Sequence, residues 1–168
     1  MIRTILWIGF VVSVVFFYVQ HSKFKDAGVS DIEDYEYAAS SDALQILESW
    51  EKAGLVKNVK VTIYYDFVFI VIYLLLMIGC SNDQVTLERN IVLNSLLRIN
   101  IGLAPIVALL DLSENLILLH NITPSNSHIY SSWVTLTKFT LAYWIVALWI
   151  ISNLKTRIVY KVQSSAAS

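Results

Sequence analysis

The sequence predicts an all-α membrane protein, a four-helix transmembrane bundle of up-down topology that forms a single domain over residues 1–168. Hydrophobic residues make up 57% of the chain, charged residues only 15%, and the mean hydropathy is +0.62. Soluble domains are about half apolar and about a quarter charged. In addition, four apolar segments approach the roughly 20 residues that a helix needs to cross about 30 Å of hydrocarbon.

The four apolar segments give the approximate spans. They cover about residues 2–19, 61–80, 91–119 and 133–153. The first exceeds the roughly 7–15 apolar residues of a signal peptide, so we expect an uncleaved helix, with a signal peptide as the alternative. The third is interrupted by Arg98, Asn100 and Pro105. Arg98 either reaches the membrane interface as a positive anchor or pairs with the polar 83–90 loop or a lipid phosphate.

The loop between the first two spans predicts an amphipathic exterior helix over about residues 42–53. Leu44 and Leu47 recur there at a helical spacing. Asp42 suits the N-cap and Gly54 suits the helix stop. The basic face that is typical of surface-bound helices is missing, so we expect this helix to cover the outer mouth of the bundle. A helix that lies flat on the membrane is the alternative.

The positions of lysine and arginine predict the orientation. Lys155, Arg157 and Lys161 follow the last span, whereas the 121–132 loop has no charged residue apart from a histidine. Four lysines near the ends of the first loop favour the opposite orientation: Lys23, Lys25, Lys57 and Lys60. We give more weight to the tail and the uncharged loop, and we predict that both termini are cytoplasmic.

Polar residues lie inside three of the predicted spans at a similar depth. They are Asp66 in the second span, Asp111, Glu114 and Asn115 in the third, and Lys138 in the fourth. At 1.5 Å per residue, the ionisable groups lie roughly 8–12 Å from the exterior ends of their helices. Residues three or four apart share one helix face. Because a charge that faces lipid costs several kcal/mol, we expect these residues to form one ligand-binding polar cluster inside the bundle.

The charges of this predicted cluster leave several functions open. Three acids do not balance one lysine, so a carboxyl group remains to bind a ligand or to hold a proton. We expect binding of a small ligand, a lipid headgroup or a protein partner in the outer half of the bundle. The alternatives are a membrane enzyme that acts on a lipid at the outer leaflet, a proton-coupled carrier, or a lock that only holds the helices together. An enzyme is less favoured, and no catalytic residue is assigned.

Other classes of function lack support in the sequence. The net charge of −1 gives no basic patch for nucleic acid. No glycine loop or dinucleotide fingerprint predicts a cofactor. His21, His120 and His128 fall on the predicted exterior side, but without a spaced ligand pair they predict no metal site. Ser113 lacks the surroundings of a nucleophile. The lipid bilayer is the expected environment, and a homo-oligomer or a membrane partner stays open.

Three segments resemble a group of small, uncharacterised bacterial four-helix integral membrane proteins. The first is the acidic stretch DIEDYEYAASSDALQILESWEKAG, in which a helix ends in Trp and Gly. The second is YYDFVFIVIY, with Asp66 early in its span, and the third is LLDLSENLILL, similar to a D-x-x-E-N element. The resemblance implies the four-helix architecture and a location in the bacterial cytoplasmic membrane. It implies no activity, and Lys138 lies outside the shared pattern.

Overall fold

The computed structural model describes residues 2–123, 129 and 132–166. Within these residues every regular element is a helix, which confirms the all-α prediction. The helices are α1 (Ile2–Asp26), α2 (Ile32–Tyr37), α3 (Ser40–Lys52), α4 (Val56–Leu87), α5 (Ile91–Asn121) and α6 (Ser132–Ala166).

Four of these helices, α1, α4, α5 and α6, are long and apolar enough to cross a membrane. They confirm the predicted four-helix bundle and, by length and composition, make the chain a multi-pass membrane protein. The up-down order of the helices stays a prediction. The helices continue beyond the predicted spans, to Asp26, Leu87 and Ala166 for example. The sequence-based bounds mark where apolar residues end, whereas backbone hydrogen bonding continues into the polar residues that follow.

The centre of the bundle is the pair α4 and α5. Helix α4 packs against α5, α1 and α6, and α5 packs against α6. Their shared core includes Ile70 of α4, Ala104 and Val107 of α5, and Ile145 of α6. Helix α1 packs mainly on α4, so much of its apolar surface stays exposed, as expected for a helix that faces lipid.

Helices α2 and α3 cover one end of the bundle, which we call the capped end. Trp50 of α3 is fully buried, and its Nε1–H donates to the backbone oxygen of Ser30 at 2.6 Å. Its ring packs against Phe24 of α1 and Tyr35 of α2. Leu118 of α5 belongs to the same core. The amphipathic α3 therefore lays its apolar face on the bundle, as expected for a cap.

The start and end of α3 differ slightly from the sequence-based expectation. The helix covers Ser40–Lys52 rather than 42–53, and its N-cap is Ala39 rather than Asp42, with no side-chain cap. Gly54 ends the helix as predicted, because its φ of +70° is a left-handed conformation that favours glycine.

Helix α2 was not predicted. It has only six residues, too few for a helical period to stand out in a sequence. A reciprocal pair of hydrogen bonds starts it: the side chain of Asp31 accepts from the backbone N–H of Asp34, and the side chain of Asp34 accepts from the backbone N–H of Asp31. This short helix matters because it brings Glu36 to the capped end of the bundle.

Candidate functional site

Lys138 of α6 is the centre of a group of charged side chains near the capped end. Its side chain is 8% exposed, and its Nζ donates to Asp111 at 2.8 Å and to Glu114, both on α5. The same Nζ lies 3.6 Å from the carboxylate of Glu36 on α2. A buried ammonium group is tolerated only where it is well paired. One cation therefore lies among carboxyl groups from two other helices.

Glu114 is the most deeply buried of these acids, with its side chain 1% exposed. One carboxylate oxygen accepts from Lys138, and the other accepts from the hydroxyl of Thr135. Thr135 also lies within hydrogen-bond distance of the backbone oxygen of Glu36, at 3.2 Å. Because Thr135 and Lys138 are three residues apart on α6, they share the face that meets α5.

Helix α4 contributes a second part of the site. The Asn115 side chain donates to the Asp66 carboxylate at 2.6 Å, and the Tyr73 hydroxyl donates to the other oxygen of Asp111 at 2.9 Å. Asp66 and Tyr73 are seven residues apart, so they lie on the same face of α4, two turns from each other. Among the described residues, Asp66 makes no ion pair. Its carboxylate is held by a neutral amide only.

The structure thus brings the five sequence-predicted residues into one network. Lys138 contacts Asp111 and Glu114 directly, whereas Asp66 joins the group through Asn115 and not through the lysine. Lys138 pairs with two carboxylates of α5, whereas the α4 carboxylate has no cationic partner within the described residues. Whether these residues bind a ligand stays a prediction.

Glu36 and Tyr73 complete the network and were missing from the predicted site. Glu36 lies in a loop rich in acids, and such acids are usually solvated, so its sequence position gave no signal. Burial raises the pKa of the Glu36 carboxyl from its ordinary value of 4.5 to about 8, although Lys138 opposes the shift. Nearby Glu114 and Asp111 raise this pKa further. With Glu36 included, the described network holds four carboxyl groups and one lysine, and three of the four lie within 4 Å of the lysine.

A cavity of about 710 Å³ lies beside this network. Its polar wall includes Glu36, Asp66, Asp111, Asn115 and Lys138. Its apolar wall is formed mainly by aromatic and aliphatic side chains of α1, α4 and α6, including Phe17, Phe69, Met77, Phe139, Ala142 and Val146. Since α1 packs mainly on α4, and α6 packs on α5 and α4, the cavity occupies the space between α1 and α6.

The wall of this cavity combines polar and apolar groups. Carboxylates, an amide and an ammonium group line one part, and rings without polar atoms line another. Ligand sites of about 300–1,000 Å³ with a mostly apolar wall and a few polar groups are typical of small-molecule binding. The cavity can therefore hold a molecule that has both a polar group and an apolar chain.

The residues considered for metal binding do not come together. Among the residues that the structure describes, no group of three His, Cys, Asp or Glu side chains has the arrangement of a metal site. His21 pairs with Asp31, and His120 is exposed. His128 lies outside the described residues. The half-buried Ser113 donates its hydroxyl to the carbonyl three residues earlier in its own helix, as serines within helices commonly do.

A second polar cluster at the opposite end of the bundle provides a comparison. The Glu88 carboxylate accepts from Lys155 at 2.7 Å, from the backbone N–H of Asn90 at 2.8 Å and from the Ser152 hydroxyl at 3.3 Å. Burial alone raises the pKa of Glu88, but the hydrogen bonds from Lys155 and Asn90 hold the pKa below its ordinary value. Here one acid has one lysine, which is the charge balance of a structural lock.

Arg98 and Asn100 have separate roles near that opposite end. Arg98 is exposed and its Nε–H donates to Asn94 at 3.0 Å, so it is not buried in the bundle. Asn94 in turn donates to the backbone oxygen of Glu88. Asn100 is fully buried and donates to the backbone oxygen of Ile145 at 3.2 Å, which joins α5 to α6.

No protein-family model, curated protein or solved structure matched the chain. The resemblance of its three segments to a bacterial membrane-protein group therefore stays a sequence-based expectation.

Proposed function

We propose that this multi-pass membrane protein binds an amphiphilic molecule, a lipid or a small lipid-like compound, in the cavity between α1 and α6. The observation that carries the proposal is one cavity that joins a network of carboxylates to an apolar, aromatic wall. Its volume of about 710 Å³ suits a single-chain ligand. The polar part of the ligand lies against Asp66 and Asp111, and its chain lies along Phe139 and Ala142.

A purely structural lock explains this arrangement less well. The Glu88 cluster at the opposite end holds α4 and α6 together with one acid and one lysine. A lock near Lys138 needs only the pairs with Asp111 and Glu114. It requires neither a further buried acid nor a cavity beside it, because unfilled space in a core lowers stability. Ligand binding accounts for both the additional acid Asp66 and the cavity, whereas a structural lock requires neither.

The position of the cavity supports entry of the ligand from the bilayer. Phe17 of α1 and Phe139 of α6 both line it, and these helices pack mainly on other partners. An apolar chain that moves between α1 and α6 stays in hydrocarbon throughout. Its headgroup then reaches the acids near the capped end without crossing the core.

Photolabelling of the purified protein in nanodiscs tests this proposal. A dodecanol probe with a diazirine in its chain should label cavity residues such as Phe139 in a saturable manner, whereas labelling of lipid-facing residues such as Val71 should rise linearly with probe. Ala142→Trp fills the cavity and should remove the saturable labelling. Val71→Trp, on an exposed face of α4, is the matched control and should leave it unchanged. Linear labelling at every site in the wild type would overturn the proposal.

We further propose that the capped end faces the exterior of the bacterial cytoplasmic membrane, with both termini in the cytoplasm. The lysines and arginines of the C-terminal tail support this orientation. In a Cys80→Ser background, a membrane-impermeant maleimide applied to intact cells should label Glu48→Cys on α3 and spare Arg157→Cys on α6. The reverse pattern would overturn this orientation.

A further inference from the structure

The charges around the cavity distinguish between classes of headgroup. Besides Asp66 and Asp111, the cavity is lined by Asp31, Glu33 and Glu36, all from or next to α2. Its cationic groups among the described residues are Lys138 and, when protonated, His21. Acids therefore outnumber cations in the cavity wall.

Both cationic groups are already engaged with acids. His21 pairs with Asp31, and Lys138 is shared by Asp111, Glu114 and, at 3.6 Å, Glu36. Within the described part of the chain, Asp66 and Glu33 have no cationic partner. A ligand with a positive headgroup supplies the missing charge, whereas an anionic headgroup meets additional repulsion.

The rings near Asp66 favour the same class of headgroup. Phe17, Phe69 and Tyr73 line the cavity on the side of α1 and α4. Aromatic faces attract ammonium groups, and the site already has one such contact, since Lys138 Nζ lies 4.7 Å from the centre of the Phe139 ring.

We infer that the ligand is an amphiphile with a positively charged amine headgroup, and that Asp66 binds the amine while the chain runs along the cavity toward Met77. This inference rests on the proposed function. Asp66 and Met77 are eleven residues apart on α4, about 16 Å at the rise of a helix. They lie on one face, three turns apart, and an extended dodecyl chain spans this length.

Competition against the saturable photolabelling tests the inference. Dodecylammonium, dodecanol and dodecanoate carry the same chain with a positive, neutral and negative headgroup. Dodecylammonium should compete at concentrations at least about tenfold lower than dodecanol. Dodecanoate should be the weakest competitor, because the carboxylate of Asp66 repels an anionic headgroup. Equal competition by all three would overturn the amine inference and leave the proposed function intact. Absence of saturable labelling would overturn both.

Substitutions show which charged side chain distinguishes between the headgroups. In Asp66→Asn the new side chain has the shape of aspartate but carries no charge. The variant should reduce the preference for dodecylammonium over dodecanol to within about twofold. Asp42→Asn, an exposed acid on α3, is the control and should keep the preference. An unchanged preference in Asp66→Asn would overturn the role of this carboxylate. If Asp66→Asn does not fold, the order of the three competitors on the wild type still decides the inference.

Discussion

Lys138 and Asp111 form an ion pair of 2.8 Å between α6 and α5, and the same ammonium group also contacts Glu114. Asp66, on α4, is part of the same network, but among the residues that the structure describes its carboxylate is bound only by the amide of Asn115. The site therefore consists of a part that holds the helices together and a carboxylate that we propose binds a ligand.

Removal of the lysine should destabilise the bundle strongly. Lys138→Met leaves Asp111 and Glu114 buried without a cation, which costs about 3–5 kcal/mol. Thermal unfolding in detergent measures this loss. Adding Asp111→Asn and Glu114→Gln should restore most of the stability, because the uncompensated charges are then gone.

The ion pair at the opposite end provides the control for this prediction. Lys155 is 42% exposed, and Glu88 keeps hydrogen bonds from Asn90 and Ser152 without it, so Lys155→Met should cost less than Lys138→Met. Similar losses for the two lysine variants would contradict the role assigned to Lys138.

Glu36 should contribute a loss of stability as the pH rises from about 4.5 to about 8. The folded state keeps a proton on Glu36 up to about pH 8, whereas the unfolded chain releases it near 4.5. The folded state therefore binds more protons in this interval, and raising the pH favours unfolding. Glu36→Gln should show a flatter dependence of Tm on pH.

The comparison with Glu36→Gln isolates this carboxyl, because the groups that face it are the same in both proteins. These groups are Lys138, Asp111, Glu114 and Asp66. Glu33→Gln, an exposed acid on the same helix, should follow the wild-type curve. Parallel curves for wild type and Glu36→Gln would refute the assignment.

Trp50 should be essential for the cap. It is fully buried, so Trp50→Ala should lower the free energy of unfolding by about 3–5 kcal/mol. Trp50→Phe keeps a ring against Phe24 but loses the hydrogen bond to Ser30, and it should cost about 1–3 kcal/mol because that carbonyl is left unpaired. Chemical denaturation in detergent measures the free energy of unfolding of each variant. A loss below 1 kcal/mol for Trp50→Ala would mean that α3 does not stabilise the bundle.

Gly54 should be needed for its backbone conformation alone. Its φ is +70°, and an added methyl group would meet no atom within 4 Å. Gly54→Ala should therefore cost about 1–2 kcal/mol through the left-handed conformation. Gly102→Ala is the control, since it also has open space but lies within α5, where alanine is favoured by about 0.8–1.0 kcal/mol. Opposite signs of the two changes in Tm are expected, and equal signs would contradict this reading of Gly54.

The sequence predicted the architecture because a helix that crosses the bilayer needs an apolar stretch of sufficient length, and such a stretch is visible in the sequence. It placed Asp111, Glu114 and Lys138 at one depth, and the structure shows them in contact. The position of Glu36 could not be predicted, because it depends on how α2 folds back over the bundle. The cavity could not be predicted either, since it follows from the packing of α1 on α4 rather than on α6. Periodicity within one helix carries no information about such contacts between distant segments.

The location of a heavy atom on a bound chain tests the central claim most directly. A structure of the protein with 12-bromododecylammonium, determined with anomalous scattering from bromine, should show a bromine peak between α1 and α6 near Met77 and Val146, with the amine beside Asp66. Bromine peaks confined to the outer, lipid-facing surfaces, with the cavity between Phe17 and Phe139 unchanged, would contradict the account.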